Sequence, residues 1–249
     1  MVVVEAENAC VYGINNNARA KSIKEIFLSS FKDKLKSYSI PILKDVSFRV
    51  RRGEKVGILG LNGSGKSSLL KVISKVYPLS SGNINVTGSL ASIIEMGAGL
   101  DRESSGRINV RLGLILAGRY SDYNQSYENE IIEFSGLGEK IDIPIKYYSS
   151  GMMSRLAFSI AAFQKKDIVI LDEVFATGDE SFLNKSKELM SSKFKDETTV
   201  FLVHHRPQLI KEYCNRAFLM DEGRLLFDSD PVSVGKEYQK IVTKRRGKN

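Results

Sequence analysis

Cysteine is scarce in this chain, because its 249 residues include only Cys10 and Cys214. Two cysteines that lie so far apart along the sequence cannot build the disulfide framework of a small secreted domain. The sequence also lacks any uncharged apolar run near the roughly 18 residues that a membrane-spanning helix needs. The N-terminus carries Glu5 and Glu7 instead of the basic and apolar start of a signal peptide. These absences predict a cytosolic protein in a reducing compartment, with no membrane span.

The charge of the chain is unbalanced, since 37 Lys and Arg against 29 Asp and Glu give a formal net charge of +8. This balance fits the binding of a nucleotide, and it fits contact with an anionic membrane or a nucleic acid equally well. The net charge alone therefore does not distinguish a nucleotide, a membrane and a nucleic acid as the partner. The length allows one large domain or two small ones.

The most informative stretch is 60–67, which reads Gly-Leu-Asn-Gly-Ser-Gly-Lys-Ser and fits the P-loop pattern Gly-x-x-x-x-Gly-Lys-Ser/Thr. An apolar run at 55–59 predicts a buried strand before it, and helical spacing over 68–76 predicts a helix after it. This arrangement aims backbone N–H groups and a helix N-terminus at a polyphosphate. Lys66 would lie between the β- and γ-phosphates, and the Ser67 hydroxyl would bind Mg²⁺. The candidate binding residues of the P-loop are Asn62, Gly63, Gly65, Lys66, Ser67 and Ser68.

Two acids follow a further buried strand. Ile168–Leu171 is entirely apolar and is followed directly by Asp172 and Glu173. Ligands of open α/β sheets bind at the carboxyl ends of the strands, so adjacent carboxylates there indicate function. Asp172 is suited to binding Mg²⁺, and Glu173 is suited to activating a water molecule that attacks the γ-phosphate.

The two histidines of the chain, His204 and His205, follow an apolar strand predicted at 198–203. A histidine there would share the sheet edge with the acids, which favours a hydrogen bond to the γ-phosphate. A turn of small residues at 149–151, Ser-Ser-Gly, opens a long helical pattern. Its helix N-terminus could bind an anion, or its serines could simply cap the helix.

The terminal regions carry weaker signals. An opening strand is predicted at 2–6, and the stretch 22–31 is typical of a short amphipathic helix. That helix either packs on its own domain or is presented to a partner. Near the other end, a hairpin at 217–227 and a helix at 231–242 lead into a basic stretch, 244–248, that predicts a disordered tail.

Taken in order, the motifs resemble the ATP-binding subunit of an ABC transporter over nearly the whole chain. Residues 60–67 match the Walker A loop of that family, and 148–152 stand where its signature motif belongs. Residues 168–173 match Walker B with its catalytic glutamate, 176–179 match the D-loop, and His205 matches the switch histidine. The signature is the specific motif, because it separates this family from other P-loop ATPases.

Three details resemble the polysaccharide exporters of this family, which move O-antigen, capsule or teichoic-acid chains. They are the sequence Tyr-Ser-Ser-Gly-Met at 148–152, the loop at 95–100, and an insertion before the strand at 43–47. In that group the insertion carries an amphipathic helix near the membrane-facing side, which the stretch 22–31 could supply.

The resemblance implies an α/β P-loop ATPase fold of ABC type, with a mostly parallel core sheet, an antiparallel β subdomain and a helical subdomain. It implies a single ABC ATPase domain over 1–249. The helical subdomain is expected at about 100–160, the N-terminal helix insertion at about 17–37, and the basic tail at 244–249.

The resemblance also implies a homodimer whose subunits face each other head to tail. The P-loop of one subunit and the signature turn of the other would enclose each ATP with its Mg²⁺. The dimer would drive two copies of a transmembrane permease from the cytoplasmic face of the inner membrane, and the polysaccharide would be reached through that permease, with no nucleic acid as a partner. Outside the P-loop, the implied nucleotide-binding and catalytic residues are Ser149, Ser150, Gly151, Asp179, Glu173 and His205.

Several positions depart from the family pattern. The signature has Ser150 for its first glycine and Met152 for its glutamine. The Q-loop glutamine is absent and its position falls at or near Glu95 and Met96, of which Glu95 is the candidate Mg²⁺ ligand. His204 stands where a small hydroxyl residue is common before the switch histidine.

Two choices stay open from the sequence. The aromatic side chain that stacks on adenine is expected to be Tyr38, from its distance to the strand at 43–48, with Tyr12 as the alternative. For the function, the alternatives are an ABC ATPase of another transporter type and one that acts on nucleic acid. The sequence has neither a long coiled-coil insertion nor a second cassette, which disfavours the nucleic-acid alternative.

Overall fold

The computed structural model of the chain describes residues 1–14, 39–93, 99–118, 123–172, 182, 184–186, 188 and 197–246. The strands in these ranges are β1 (Val2–Ile14), β2 (Ser39–Arg51), β3 (Lys55–Leu59), β4 (Ser81–Val86), β5 (Leu90–Ile93), β6 (Ile168–Leu171), β7 (Thr199–Val203), β8 (Arg216–Asp221) and β9 (Arg224–Ser229). The α-helices with both ends described are α1 (Lys66–Ile73), α2 (Gly106–Leu116), α3 (Gln125–Ser135), α4 (Ser150–Phe163), α5 (Pro207–Tyr213) and α6 (Pro231–Arg246).

The core sheet has the strand order β5-β6-β7-β3-β8-β9 in the described part of the chain. All of its strands run parallel except β9, which pairs antiparallel with β8. Side chains alternate between two hydrophobic cores: Ile168 and Ile170 of β6 face one core, and Val169 and Leu171 face the other. Because both faces of the strand are covered, it reads as an unbroken apolar run.

A second sheet, β2-β1-β4, is antiparallel and shares one of these cores with α1. The rings of Phe48 in β2 and Phe218 in β8 lie 5.2 Å apart and join the two sheets. Helices α2, α3 and α4 pack in the other core. A mostly parallel sheet, an antiparallel sheet and a helical layer agree with the predicted class. Among the described residues, no helix combines the length and the apolar character needed to cross a bilayer.

Two elements differ from their predicted bounds. β1 continues to Ile14, far past the predicted 2–6, because it pairs with both β2 and β4. α6 continues to Arg246, so the predicted disordered tail is wrong at its start. There the Arg245 guanidinium donates hydrogen bonds to carboxylates of Asp221 (2.8 Å) and Glu222 (3.3 Å). The amphipathic helix predicted at 22–31 lies outside the described residues.

The turn between β8 and β9 contacts the P-loop. It consists of Glu222 and Gly223, whose φ angles of 47° and 81° are both positive, as a two-residue hairpin turn requires. The N–H of Gly223 donates to the carbonyl oxygen of Ser64 at 3.0 Å, and its carbonyl oxygen accepts from the N–H of Lys44 at 2.8 Å. The turn therefore joins the P-loop to β2.

We expect Gly223→Ala to lower the free energy of unfolding by about 2–4 kcal/mol. A Cβ at Gly223 would lie 2.4 Å from the carbonyl oxygen of Ile42, in addition to the strain of a positive φ. Gly138→Ala is the matched control: its φ is also positive, at 56°, but its Cβ would meet no atom within 4 Å among the described residues beyond its chain neighbours. Urea titration compares the two variants. Equal losses of stability would contradict the account of this turn.

Candidate functional site

Three strands of the core sheet end side by side. In the parallel ladders, Ile58 of β3 lies beside Val203 of β7, and Leu171 of β6 lies beside Leu202 of β7. The residues that follow these strands therefore share one edge of the sheet. This edge brings together the P-loop, Asp172 and the two histidines.

Glycine occupies the tightest positions of the P-loop. Gly65 is the N-cap of α1 and has a φ of 102°, in the left-handed region. A Cβ on Gly60 would lie 2.4 Å from the hydroxyl oxygen of Ser64 and 2.5 Å from the carbonyl oxygen of Met220. The loop thus leads directly into a helix N-terminus, which attracts anions through its free N–H groups and its dipole.

Lys66 and Ser67 place a cation and a hydroxyl at this loop. The Lys66 ammonium donates to the carbonyl oxygens of Gly60 (2.9 Å) and Leu61 (3.0 Å), and the residue is only 7% exposed. The Ser67 hydroxyl donates to a carboxylate oxygen of Asp172 at 3.4 Å. A hydroxyl and a carboxylate are hard oxygen ligands of the kind that Mg²⁺ prefers, so this pair fits that ion.

A cleft of about 490 Å³ opens beside the P-loop. Part of its wall is apolar and is formed by Ile40, Pro41 and Ile42 at the start of β2, and Glu222 and Gly223 form another part. Sequence reasoning missed these five residues, because no local pattern places them beside the P-loop. Of the predicted P-loop residues, the cleft is lined by Gly63, Gly65, Lys66, Ser67 and Ser68, whereas Asn62 is exposed in the loop.

Of the two tyrosines predicted to stack on adenine, only Tyr12 lies among the described residues. Tyr12 pairs with Pro41 in the β1–β2 ladder and is 48% exposed, but it is not among the described residues that line the cleft. Tyr38 lies outside the described residues. The choice between the two stays a prediction.

His204 and His205 have different surroundings. His204 is 2% exposed, and its Nδ1 atom accepts a hydrogen bond from the N–H of Arg206 at 2.9 Å. The exposed His205 stacks on it, with ring centroids 4.6 Å apart and an angle of 23° between the planes. Burial, and next the charges of His205 and Arg206, lower the pKa of His204 from 6.5 to about 4. The His204 imidazole is therefore neutral near pH 7.

We expect mild acid to destabilise the fold through His204. Its pKa is about 4 in the folded chain and near 6.5 in the unfolded chain, so the unfolded chain binds the extra proton between these values. The free energy of unfolding should therefore fall as the pH drops from about 6.5 towards 4. Above about pH 6.5 the ring is neutral in both states, and His204 does not lower the free energy of unfolding. Thermal melts at a series of pH values measure this. His204→Phe should show a shallower dependence, and an equally steep one would contradict the assignment.

The turn that opens α4 lies apart from the cleft. Ser149 is the N-cap of α4, and its hydroxyl oxygen accepts a hydrogen bond from the N–H of Met152 at 3.3 Å. Ser149 and Ser150 are exposed and Gly151 is partly exposed. None of these three residues is among the described residues that line the cleft. Within one chain the turn acts as a helix cap, and the start of the helix stays exposed.

The comparison with protein families decides among the classes of P-loop protein. Residues 43–176, more than half of the chain, match the family model described as ABC transporter. The chain belongs to the ABC transporter family. The matched range contains the P-loop, the turn at 149–151 and Asp172, and the family predicted from these motifs is confirmed.

Relatives with curated names match most of the chain. It is 39% identical over 224 residues to the teichoic acids export ATP-binding protein TagH of Enterococcus faecalis, a match that covers 90% of this chain and 49% of that protein. It is 38% identical over 191 residues to the O-antigen export system ATP-binding protein RfbE of Yersinia enterocolitica, which covers 77% of this chain and 80% of that protein. The chain spans about half the length of several curated relatives, including the Enterococcus protein.

The fold is also that of a solved ATP-binding cassette, described as a dimer in a post-hydrolysis state bound to ADP and Pi. The TM-score is 0.73 at 18% sequence identity, over 92% of this chain and 98% of that chain. The predicted ABC-type P-loop ATPase fold is therefore confirmed. The roles of the individual site residues stay predictions. Five of the residues considered lie outside the described part of the chain: Tyr38, Glu95, Met96, Glu173 and Asp179.

Proposed function

We propose that this ABC protein binds ATP with Mg²⁺ in the cleft beside the P-loop and hydrolyses it to drive the export of a polysaccharide. The observation that carries the proposal is the meeting of Lys66, Ser67 and Asp172 at one edge of the core sheet. The substrate class is supported by the relatives, which are named for the export of teichoic acids and of O-antigen.

The phosphates bind at the N-terminus of α1. The Lys66 ammonium exchanges its two carbonyl partners in the loop for oxygens of the β- and γ-phosphates, a stronger, charge-assisted interaction. Ser67 and Asp172 would hold Mg²⁺, with Glu95 as a further ligand, and an ion held there would neutralise charge on the phosphates.

The base binds at the other end of the cleft. Ile40 and Pro41 supply an apolar wall for one of its faces. Tyr38 stacks on the ring, with Tyr12 as the alternative. Apolar and aromatic contacts of this kind fix the base without charge and leave the phosphates to the P-loop.

Hydrolysis depends on residues at the carboxyl ends of the strands. Glu173, next in sequence after Asp172, accepts the proton of the water molecule that attacks the γ-phosphate. His205, exposed at the same edge, donates a hydrogen bond to an oxygen of the γ-phosphate and stabilises its charge in the transition state.

A second copy of the chain completes the site. The P-loop covers one side of the triphosphate, and Ser149, Ser150 and Gly151 at the exposed start of α4 close the other side from the facing subunit. Asp179 adds a contact from the D-loop. Support comes from the solved cassette with this fold, which is a dimer with ADP and Pi.

The ATPase acts as a peripheral subunit at the cytoplasmic face of the inner membrane. Two copies drive two copies of a transmembrane permease, through which the polysaccharide passes. We assign a single ABC ATPase domain to residues 1–249, with a helical subdomain at about 100–160 that includes α2 and α3. An N-terminal helix insertion at about 17–37 and a basic end at 244–249 complete this division.

Deletion of the gene in its source organism tests this function. We expect surface polysaccharide to be lost and to return with the wild-type gene, but not with Lys66→Ala. Purification from solubilised membranes should recover a polytopic membrane protein with the ATPase. Unchanged surface polysaccharide would contradict the transport role. Co-purified RNA or DNA in place of a membrane protein would favour the nucleic-acid alternative.

A further inference from the structure

His204 has no part in the chemistry proposed above, although it directly precedes His205. It follows β7 at the edge of the core sheet, and its ring is almost completely buried, with 2% exposure. A histidine buried at this depth is not a surface group that happens to stand beside the site. Its burial distinguishes it from the exposed His205 beside it.

The His204 ring contacts both residues that follow it in the chain. On one side the ring stacks against that of His205, with 4.6 Å between the centroids and 23° between the planes. At its edge, Nδ1 accepts the N–H of Arg206 at 2.9 Å. The backbone N–H of His204 also donates to the carbonyl oxygen of Ile58 in β3, at 3.4 Å. The backbone of His204 is therefore bonded to the sheet, and its ring contacts the turn that carries His205.

We infer that His204 is a positioning residue, whose buried ring holds the imidazole of His205 in the orientation that meets the γ-phosphate. This inference rests on the catalytic role proposed for His205. A neutral ring serves this purpose better than a charged one, because it stacks without charge repulsion and stays buried without a counter-ion. The acceptor role of Nδ1 also fixes the tautomer, with the proton on Nε2.

Three variants separate the two contacts. His204→Phe keeps a ring against His205 but cannot accept from Arg206. His204→Asn keeps a polar acceptor but removes the ring. His204→Ser also removes the ring, and it introduces the hydroxyl residue that is common at this position of the family and can accept from Arg206. Melting curves confirm folding, and the assays are run well below the lowest melting temperature.

Steady-state ATP hydrolysis gives the first readout. We expect kcat to fall by about tenfold in His204→Asn and His204→Ser, with KM for ATP changed by less than about twofold, because a misplaced catalytic group costs rate more than binding. His204→Phe should keep kcat within about threefold of the wild type, since the stacked ring remains. A purely structural role would not produce this split between kcat and KM.

Histidine NMR gives a second readout that needs no ATP. The chain has two histidines, so labelled protein shows two ring signals, and each His204 variant leaves only that of His205. Stacking shifts this signal through the ring current of the neighbour. We expect it to move towards the position of a free histidine in His204→Asn and His204→Ser, and to stay shifted in His204→Phe.

The outcomes distinguish this inference from the proposed function. A wild-type kcat or an unmoved His205 signal in His204→Asn would overturn the positioning role. His205→Ala is the separate test of the catalytic role. If it hydrolyses ATP at the wild-type rate, the function proposed for His205 is wrong. If it is inactive while His204→Asn is fully active, only the positioning role fails.

Discussion

Lys66→Ala is expected to weaken ATP binding by about 100-fold or more. The Lys66 ammonium is almost buried and points at the carbonyl oxygens of Gly60 and Leu61, so it is already ordered at the P-loop. Two charge-assisted hydrogen bonds to phosphate oxygens contribute about 1.5 kcal/mol each or more, and about 1.4 kcal/mol corresponds to a tenfold change in Kd. Isothermal titration with ATP and Mg²⁺ measures the loss.

The control for this experiment is Lys71→Ala. Lys71 lies in the last turn of α1, so this change removes the same charge from the same helix. Its ammonium stands over the ring of Tyr77, 5.2 Å from the centroid, rather than at the P-loop. We expect ATP affinity within about twofold of the wild type, as for a charge outside the site. Equal losses in the two variants would mean that net charge, not the P-loop contact, determines the affinity.

Glu173→Gln is expected to bind ATP with nearly normal affinity but to hydrolyse it about 100-fold or more slowly. The amide has nearly the size and shape of the carboxylate, yet it cannot accept the proton of the attacking water. If hydrolysis normally separates the subunits, this variant should accumulate as a dimer with ATP. Phosphate release and light scattering during gel filtration measure the two effects.

The control for Glu173→Gln is Glu197→Gln. Glu197 precedes β7, so it lies at the opposite edge of the sheet from the residues that follow the strands. Its carboxylate pairs with Arg52 at 3.1 Å on the exposed surface. Turnover of this control should stay near the wild type, because exposed ion pairs contribute little. Turnover near the wild type in Glu173→Gln itself would remove that residue from the mechanism.

The P-loop and the strand ends could be predicted because their chemistry is local. The strand, the glycine loop and the helix are consecutive in the chain, and Asp172 directly follows an apolar run whose ends the sequence marks clearly. Because the strands are parallel, their carboxyl ends must lie at one edge of the sheet, so no further sequence signal is needed to predict this. The structure adds the contact that such reasoning implies, from Ser67 to Asp172.

The rest of the cleft depends on contacts between distant parts of the chain. Ile40 reaches the P-loop because β2 pairs with β1, and Glu222 reaches it because the turn between β8 and β9 bonds to the loop. No local sequence pattern predicts either the approach of β2 to the P-loop or the contact of the β8–β9 turn with it. At the end of α6, Arg245 likewise bonds to distant carboxylates, those of Asp221 at the end of β8 and Glu222 in the turn that follows, so basic composition alone gave the wrong prediction of disorder at 244–246.

The signature turn shows a different limit of sequence reasoning. Resemblance assigned Ser149, Ser150 and Gly151 to an ATP site, whereas the structure of one chain shows them as an exposed helix cap outside the cleft. Both descriptions hold if the turn belongs to the site of a second copy. We therefore expect the closed ATP site to form from two chains rather than one.

Cross-linking across the ATP site tests this central claim most directly. A chain with Asn62→Cys and Ser150→Cys carries both new thiols on exposed positions, while the native Cys10 and Cys214 are buried. In the background of Glu173→Gln, we predict that oxidation with ATP and Mg²⁺ gives a covalent dimer, and that neither single-cysteine variant nor Lys66→Ala does so. A double-cysteine chain that binds ATP but gives no ATP-dependent covalent dimer would contradict the shared site.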